Sequence, residues 1–211
     1  MIAFPIRRPI TDLPVHVTYR LYGSIPHPTM QALKDKQAAR KALVDPRSAG
    51  AEAARRRIQI QYELEVDAKL HDLRGGPMHL ANQRMATEVL NSWQYLDHSG
   101  AVRVLAVCVM SNHVHTILAC PEGVQEVLLG NLFSRHKRHT ARQCNRLLGR
   151  TGQPFWEPEY FVRHIRHHKF MKAMWYVLDN PVKAKLVDEW TQWPGTFVHP
   201  EYASAFQEQV A

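Results

Sequence analysis

The chain has 211 residues, 45% of them hydrophobic and 22% charged, which is the balance of one globular domain and leaves little length for two. Its 27 lysines and arginines exceed its 19 aspartates and glutamates, and the resulting net charge of +8 favours a polyanionic partner, of which nucleic acid is the usual one. The chain has three cysteines and no Cys-x-x-Cys pair, which argues against a disulfide framework. No stretch has the length of a membrane span or the apolar run of a signal peptide. We therefore expect a cytoplasmic protein without a membrane partner.

The first part of the chain predicts one strand followed by a helical region. Residues 15–21 (VHVTYRL) alternate and are rich in β-forming side chains, which is typical of a strand. Residues 29–72 are rich in Ala, Lys, Arg, Glu and Gln and predict helix, interrupted near Asp45-Pro46 and Gly50.

The rest of the chain predicts three more strands and three more helices. Apolar periodicity indicates helices over residues 78–98, 124–148 and 168–178, and strands over residues 102–110, 113–119 and 160–165. The short break between the middle two strands predicts an antiparallel hairpin. Proline, glycine and aromatic residues predict an irregular tail over 190–211.

This order of elements predicts an α+β fold. Strand, helix, strand, strand, helix and strand form a ferredoxin-like βαββαβ antiparallel sheet with helices on one face. The predicted fold adds an N-terminal helical insertion at residues 29–72 and an extra C-terminal helix that carries a tyrosine, all within a single domain over residues 1–211.

His113 and His115 are two residues apart on a predicted strand, so their imidazoles share one face. Paired imidazoles are the start of a metal site. Two half-exposed sheet histidines with hydrogen-bonded partners are the alternative at this point. A histidine-triad hydrolase would need a third alternating histidine, and that position is Ile117.

Tyr176 and Asn180 are one turn apart on a predicted helix, and Lys172 precedes Tyr176 by the same spacing. A tyrosine beside an amide and an ammonium group is placed for reaction, because a nearby cation favours a phenolate. The alternatives are a tyrosine at the edge of the core and an Asn180 that caps a helix beginning at Pro181.

Two basic segments suit phosphate binding. Arginines at spacings of three and four residues form one face of the predicted helix over 124–148, and a second basic run follows near residues 163–169. The alternative is a solvated helix face. The candidate DNA-binding residues are Arg135, Arg138, Arg142, Arg146, Arg163, Arg166 and Lys172.

Three segments together resemble the REP-associated tyrosine transposases, a single-tyrosine branch of the HUH superfamily. They are VMSNHVHTIL with the histidine pair, PFWEPEYFVRHIR, and YVLDNPVKAKLV with Tyr176 followed by Asn-Pro. VHVTYRL and CNRLLGRTG agree as well, so the matches follow the family's order over nearly the whole chain. Ser111 stands where the family commonly has proline and Lys185 where it commonly has glycine, and neither change removes a reacting atom.

The resemblance implies one HUH nuclease domain that cuts and rejoins single-stranded DNA at hairpins through a covalent 5′-phosphotyrosine. Tyr176 is then the nucleophile, and His113, His115 and Asn180 are ligands of a divalent ion, Mg²⁺ or Mn²⁺. The REP-associated kind works as a monomer and related insertion-sequence enzymes as dimers, so a monomer is favoured and a dimer stays open. The competing hypotheses are a domesticated, non-catalytic DNA-binding regulator, a metal-dependent RNA endonuclease, and a plain metal-dependent hydrolase.

Overall fold

A computed structural model describes residues 9–72 and 75–207, and a five-stranded antiparallel sheet organises the part outside residues 23–78. The strands are β1 (Val15–Leu21), β2 (Arg103–Val109), β3 (His113–Ala119), β4 (Trp156–His164) and β5 (Thr196–Val198). Their order across the sheet is β4-β1-β3-β2-β5. The first four strands thus have the ferredoxin-like order, which confirms the predicted fold.

The described chain divides into two compact units. One unit contains β1 and everything from His79 onward, and the other consists of residues 23–78. In the second unit α1 (His27–Ala42) packs along α2 (Ala51–His71), and both Lys36 and Arg40 pair with Glu65, at 3.0 and 2.9 Å. The predicted helical insertion at 29–72 lies in this unit, with its interruption at residues 43–50. The assignment of residues 1–211 to a single domain stays a prediction.

The two helices of the ferredoxin-like unit share one face of the sheet, as predicted. They are α3 (Gln83–His98) and α4 (Leu129–Leu147), and Asn82 begins α3 by accepting a hydrogen bond from the Arg84 amide on its side-chain oxygen. Their buried side chains form a core with alternate residues of the strands, such as Val17, Val114 and Leu118. Burial of this apolar surface is the main stabilising contribution to the unit.

The extra helix α5 (Phe170–Leu178) packs on the opposite face of the sheet. There Met174 and Val177 join Ile117 of β3 and Leu105 of β2 in a second core. A short helix, α6 (Asn180–Lys183), follows α5. None of the described helices is both long and apolar enough to cross a membrane.

The prediction of an irregular tail over 190–211 is wrong for its described part. Residues 196–198 form β5 at the edge of the sheet, where they pair with residues 106–108 of β2, and α7 (Pro200–Gln207) follows. Phe206 of α7 is buried in the second core. Pairing with a strand distant in sequence therefore overrides a local composition that disfavours regular structure. Residues 208–211 lie outside the described residues.

Three element starts differ from the prediction by four or five residues, and the first is the helix predicted from residue 78, which begins at Gln83 after a separate 3-10 helix at His79–Ala81. The helix predicted from residue 124 begins at Leu129, because Val127 instead exchanges backbone hydrogen bonds of 2.9 and 3.0 Å with Ile10. The strand predicted from residue 160 begins at Trp156, which pairs with Leu21 beyond a bulge. Pro158 is tolerated within β4 because β4 is an edge strand.

A buried histidine joins α4 to its neighbours in the first core. His136 lies within hydrogen-bond distance of the Tyr19 hydroxyl at 2.7 Å and of the Ser92 hydroxyl at 2.9 Å, and it stacks on Trp93. Burial lowers the pKa of His136 well below its ordinary value, with smaller contributions from Lys137 and His139. His136 is therefore neutral in the folded protein at neutral pH.

The buried His136 predicts a loss of stability in mild acid. Below the unfolded-state pKa of about 6.5 the unfolded chain binds a proton that the folded chain excludes, until the pH reaches the depressed folded-state pKa. In that window the free energy of unfolding falls by up to about 1.4 kcal/mol per pH unit from this residue. We expect urea unfolding between pH 7.5 and 5.5 to give a steeper dependence for the wild type than for His136→Asn. Equal slopes would contradict the assignment.

Candidate active site

The alternation of β3 divides its side chains between the two cores. Val114 and Leu118 face α3 and α4, whereas His113, His115 and Ile117 lie on the α5 side. The structure thus places both predicted imidazoles on one face. Both side chains are fully buried, so the alternative of two half-exposed sheet histidines does not describe them.

The two imidazoles present their Nε2 atoms to each other at 3.0 Å. The opposite nitrogen of His113, Nδ1, lies 2.6 Å from Oδ1 of Asn112, which accepts its proton. Asn112 is held in turn, because its carbonyl oxygen accepts the amide hydrogen bond of Leu21 at 2.9 Å. His113 therefore carries its proton on Nδ1 and directs the lone pair of Nε2 toward His115.

Strand β1 contributes two residues that the sequence analysis did not select. The ladder pairs Thr18 with His115 and His16 with Ile117, so both side chains lie on the α5 side of the sheet. His16 Nε2 and Thr18 Oγ1 are each 3.1 Å from Nδ1 of His115. The His16 ring also stacks on His115, with centroids 5.3 Å apart. The available signal was His-x-Thr on the strand that a ferredoxin-like order places beside the histidine pair.

The nitrogen geometry fits a metal ion. Two nitrogen ligands about 2.1 Å from one ion, at about a right angle, are themselves about 3.0 Å apart. The Nε2 atoms of His113 and His115 have that separation. If His115 Nε2 also presents a lone pair, the two lone pairs repel unless positive charge lies between them; if it carries a proton, the two nitrogens form a hydrogen bond. The donor set and its spacing therefore suit a divalent cation held by these two atoms.

Tyr176 lies on α5 beside this pair and is half-buried. Its ring meets His115 edge-on at 5.8 Å between centroids and His16 at 5.5 Å. Lys183 Nζ lies 4.8 Å from the centre of the Tyr176 ring. The cation predicted beside the tyrosine was Lys172, which is exposed on α5. Lys183, seven residues after Tyr176 on α6, is a further cation there, and the role of Lys172 stays a prediction.

Asn180 is fully buried at the junction of α5 and α6. Its Nδ2 donates to the carbonyl oxygens of Tyr176 at 2.6 Å and of Val177 at 3.3 Å. The side chain therefore satisfies carbonyl groups at the end of α5. The alternative of Asn180 as an N-cap is wrong, because α6 already begins at Asn180 and Asp179 precedes it.

The basic residues fall into two groups on different faces of the sheet. Four of them project from α4, on the side away from the histidine pair, and all four are exposed: Arg135, Arg138, Arg142 and Arg146. Within residues 9–72 and 75–207, none of these four guanidinium groups pairs with a carboxylate; Arg138 and Arg146 contact Ser134 and Gln143 on their own helix.

Arg163 belongs to the second group. It pairs with His16 in the β1–β4 ladder, which puts it on the same face as the imidazoles, and Arg166 is exposed just after β4. The structure thus places Tyr176 beside the His113–His115 pair, with Asn180 hydrogen-bonded to the carbonyl oxygen of Tyr176, and leaves the α4 arginines apart from them.

Comparison with known proteins gives the family. Residues 78–180 match the family model described as IS200-like transposase. The matched segment belongs to the IS200-like transposases. This transposase segment contains His113, His115, Tyr176 and Asn180, whereas β1, with His16 and Thr18, precedes it.

One of two similar solved structures shares the fold of this chain. The structure of the REP-associated tyrosine transposase bound to a REP hairpin is 17% identical, with a TM-score of 0.53 over 98% of this chain and 88% of that one. A crystal structure of a putative transposase from Deinococcus radiodurans R1 is 13% identical over 85% of this chain and 97% of that one. Its TM-score of 0.34 does not establish a shared fold. No curated protein sequence matched this chain.

Proposed function

We propose that this protein is a metal-dependent single-stranded DNA transposase of the REP-associated type, which cleaves and rejoins DNA at hairpins through a covalent 5′-phosphotyrosine. The observation that carries the proposal is the position of Tyr176, edge-on to His115 within the segment that matches the transposase family. The hairpin bound by the structurally similar REP-associated transposase supports the choice of substrate.

Tyr176 is the proposed nucleophile. After loss of its phenolic proton its oxygen attacks the scissile phosphorus, the bond to the 3′ oxygen breaks, and that oxygen takes up a proton and leaves as a 3′-hydroxyl. The protein remains joined to the 5′-phosphate, so a 3′-hydroxyl can later attack and rejoin the strand without ATP. The ammonium group of Lys183 makes a cation–π contact with the Tyr176 ring and also pairs with Asp179 at 3.3 Å.

His113 and His115 are the proposed metal ligands through Nε2, with Asn180 as the third. Ligation by Asn180 would use its Oδ1, because its Nδ2 is engaged with the end of α5. When bound, a divalent ion withdraws charge from the phosphate in the transition state. Imidazole ligands suit Mn²⁺ better than Mg²⁺, so Mn²⁺ is the ion for a first assay.

The exposed arginines of α4 are proposed to contact DNA phosphates, with Arg163, Arg166 and Lys172 nearer the reacting centre. Charge reversal at Arg142 is expected to weaken hairpin binding and to lower the salt dependence of log Kd by about one unit or more. Fluorescence anisotropy at several salt concentrations measures both quantities. The matched control is Arg84→Glu, an exposed arginine on α3 that changes the net charge equally. If both variants behave like the wild type, the α4 contact is wrong.

The test of the proposal is an adduct assay with single-stranded hairpin DNA and Mn²⁺. DNA labelled at its 3′ end should leave its label on the protein in a denaturing gel, while DNA labelled at its 5′ end should release a shorter strand with a 3′-hydroxyl. Cleavage without an adduct would favour a plain hydrolase, and a 2′-hydroxyl requirement would favour an RNA endonuclease. Binding alone across a broad hairpin panel would favour a domesticated regulator.

The cellular setting follows from the substrate. We propose that the protein acts in the bacterial cytoplasm on chromosomal DNA, as a monomer. Sedimentation of the protein with and without a hairpin distinguishes this from a dimer.

A further inference from the structure

We infer that His16 and Thr18 of β1 are positioning residues that hold His115 in the one tautomer able to bind metal. This inference rests on the proposed function, because it assigns to His115 Nε2 the role of a ligand. It adds a strand to the site that the matched transposase segment does not include.

The position of the proton on His115 determines which of its two nitrogens can bind a metal. Its Nδ1 has His16 Nε2 and Thr18 Oγ1 at 3.1 Å, and its Nε2 faces His113 Nε2 at 3.0 Å. A neutral imidazole has one donor nitrogen and one acceptor nitrogen. If Nδ1 donates to β1, the lone pair of Nε2 is available to an ion. If Nε2 carries the proton instead, it donates a hydrogen bond to Nε2 of His113, and the two nitrogens cannot then bind a metal ion together.

Thr18 Oγ1 and His16 Nε2 can each accept the Nδ1 proton, and in that role they select the first of these two states. Thr18 is directly opposite His115 in the ladder, so its hydroxyl reaches Nδ1 from a fixed backbone position. His16 adds an acceptor nitrogen and a stacked ring, with an interplanar angle of 20° to His115. A partner on the second nitrogen both selects the tautomer and orients the ring of a metal-binding histidine.

Asn112 accepts a hydrogen bond from Nδ1 of His113 in the same way, but Asn112 is adjacent to that histidine in the hairpin turn. The support for His115 comes from a strand almost a hundred residues away in sequence, 97 residues in the case of Thr18. His16 also meets the edge of the Tyr176 ring at 5.5 Å. One side chain of β1 thus contacts both a proposed ligand and the proposed nucleophile.

The test separates hydrogen bonding from packing. His16→Phe keeps a ring at the stack and removes the nitrogen, and Thr18→Val keeps the shape and removes the hydroxyl. We expect each single variant to weaken Mn²⁺ binding by up to about tenfold and the double variant by about tenfold to a hundredfold, in calorimetry or in the electron paramagnetic resonance signal of free Mn²⁺. His16→Gln and Thr18→Ser, which restore an acceptor, are expected to return the affinity to within about threefold of the wild type.

The controls keep the two proposals apart. His98→Phe removes an exposed histidine on α3 and should leave Mn²⁺ affinity unchanged. If the wild type binds no Mn²⁺, the proposed metal site fails and the inference fails with it. If the wild type binds Mn²⁺, His113→Ala does not, and the His16→Phe and Thr18→Val double variant binds like the wild type while still folded by circular dichroism, the proposed function survives and the positioning role is overturned.

Discussion

Replacing Tyr176 with phenylalanine is expected to abolish the covalent protein–DNA adduct and to reduce strand cleavage by at least about a thousandfold, because it removes the attacking oxygen. The ring of a phenylalanine keeps the edge contacts with His16 and His115. Hairpin affinity should therefore change by no more than about twofold, since loss of a reacting atom alone does not remove binding contacts.

The matched control for Tyr176→Phe is Tyr95→Phe, which removes a hydroxyl from an exposed tyrosine on α3. It should form the adduct at the wild-type rate. The assay is the denaturing gel with 3′-labelled hairpin DNA and Mn²⁺, read as single-turnover rates. An adduct that persists in Tyr176→Phe would assign the nucleophile to another side chain and remove the central element of the proposal.

Replacing either His113 or His115 with alanine is expected to reduce cleavage about as strongly as Tyr176→Phe, because it removes a proposed metal ligand. Each substitution removes one of two nitrogens that face each other at 3.0 Å, and should weaken Mn²⁺ binding by about a hundredfold or more. Cleavage should fall in parallel at fixed Mn²⁺. Removal of divalent ions with EDTA should reproduce the loss in the wild type, and added Mn²⁺ should reverse it there.

The control for the histidine variants is His164→Ala on β4. His164 pairs with Val15 in the ladder, so its side chain lies on the other face of the sheet from His115. That variant should keep its metal affinity. Cleavage by His113→Ala and His115→Ala at the wild-type rate in Mn²⁺ would mean that these imidazoles do not hold the catalytic ion.

Much of the fold was predictable because the informative signals were local. Strands β1 and β3 are predicted to the residue, since alternating β-branched side chains and the short Ser111-Asn112 turn mark their ends. The βαββαβ order then determines the strand order across the sheet. The shared face of His113 and His115 follows from the period of a strand alone.

The parts that were not predictable depend on pairing between distant segments. His16 and Thr18 acquire their significance only through the register of β1 against β3. β5 is only three residues long and is flanked by Pro194-Gly195 and Pro200, so its β-forming side chains form a strand only through pairing with β2. Lys183 contacts Tyr176 from α6, beyond residue 178 where the predicted helix ended, so the sequence analysis did not consider it.

Lys185 has an unusual backbone conformation at a position where the sequence departs from the resembling family. It stands where the resembling family commonly has glycine, and it is the one non-glycine residue with positive φ, 57°, in the described ranges 9–72 and 75–207. Left-handed backbone costs an ordinary residue about 1 kcal/mol relative to glycine. The glycine preference at this position thus has a conformational reason.

The complete burial of His113 and His115 has a kinetic consequence for cleavage. Neither imidazole presents surface to solvent in this state, yet an ion and a phosphodiester must both come within bonding distance of that centre. If the proposed site binds an ion and a phosphodiester, this fully buried state has to open before the first turnover. At saturating DNA the adduct should then form at a rate that no longer rises with substrate, set by how often the protein uncovers its own imidazoles.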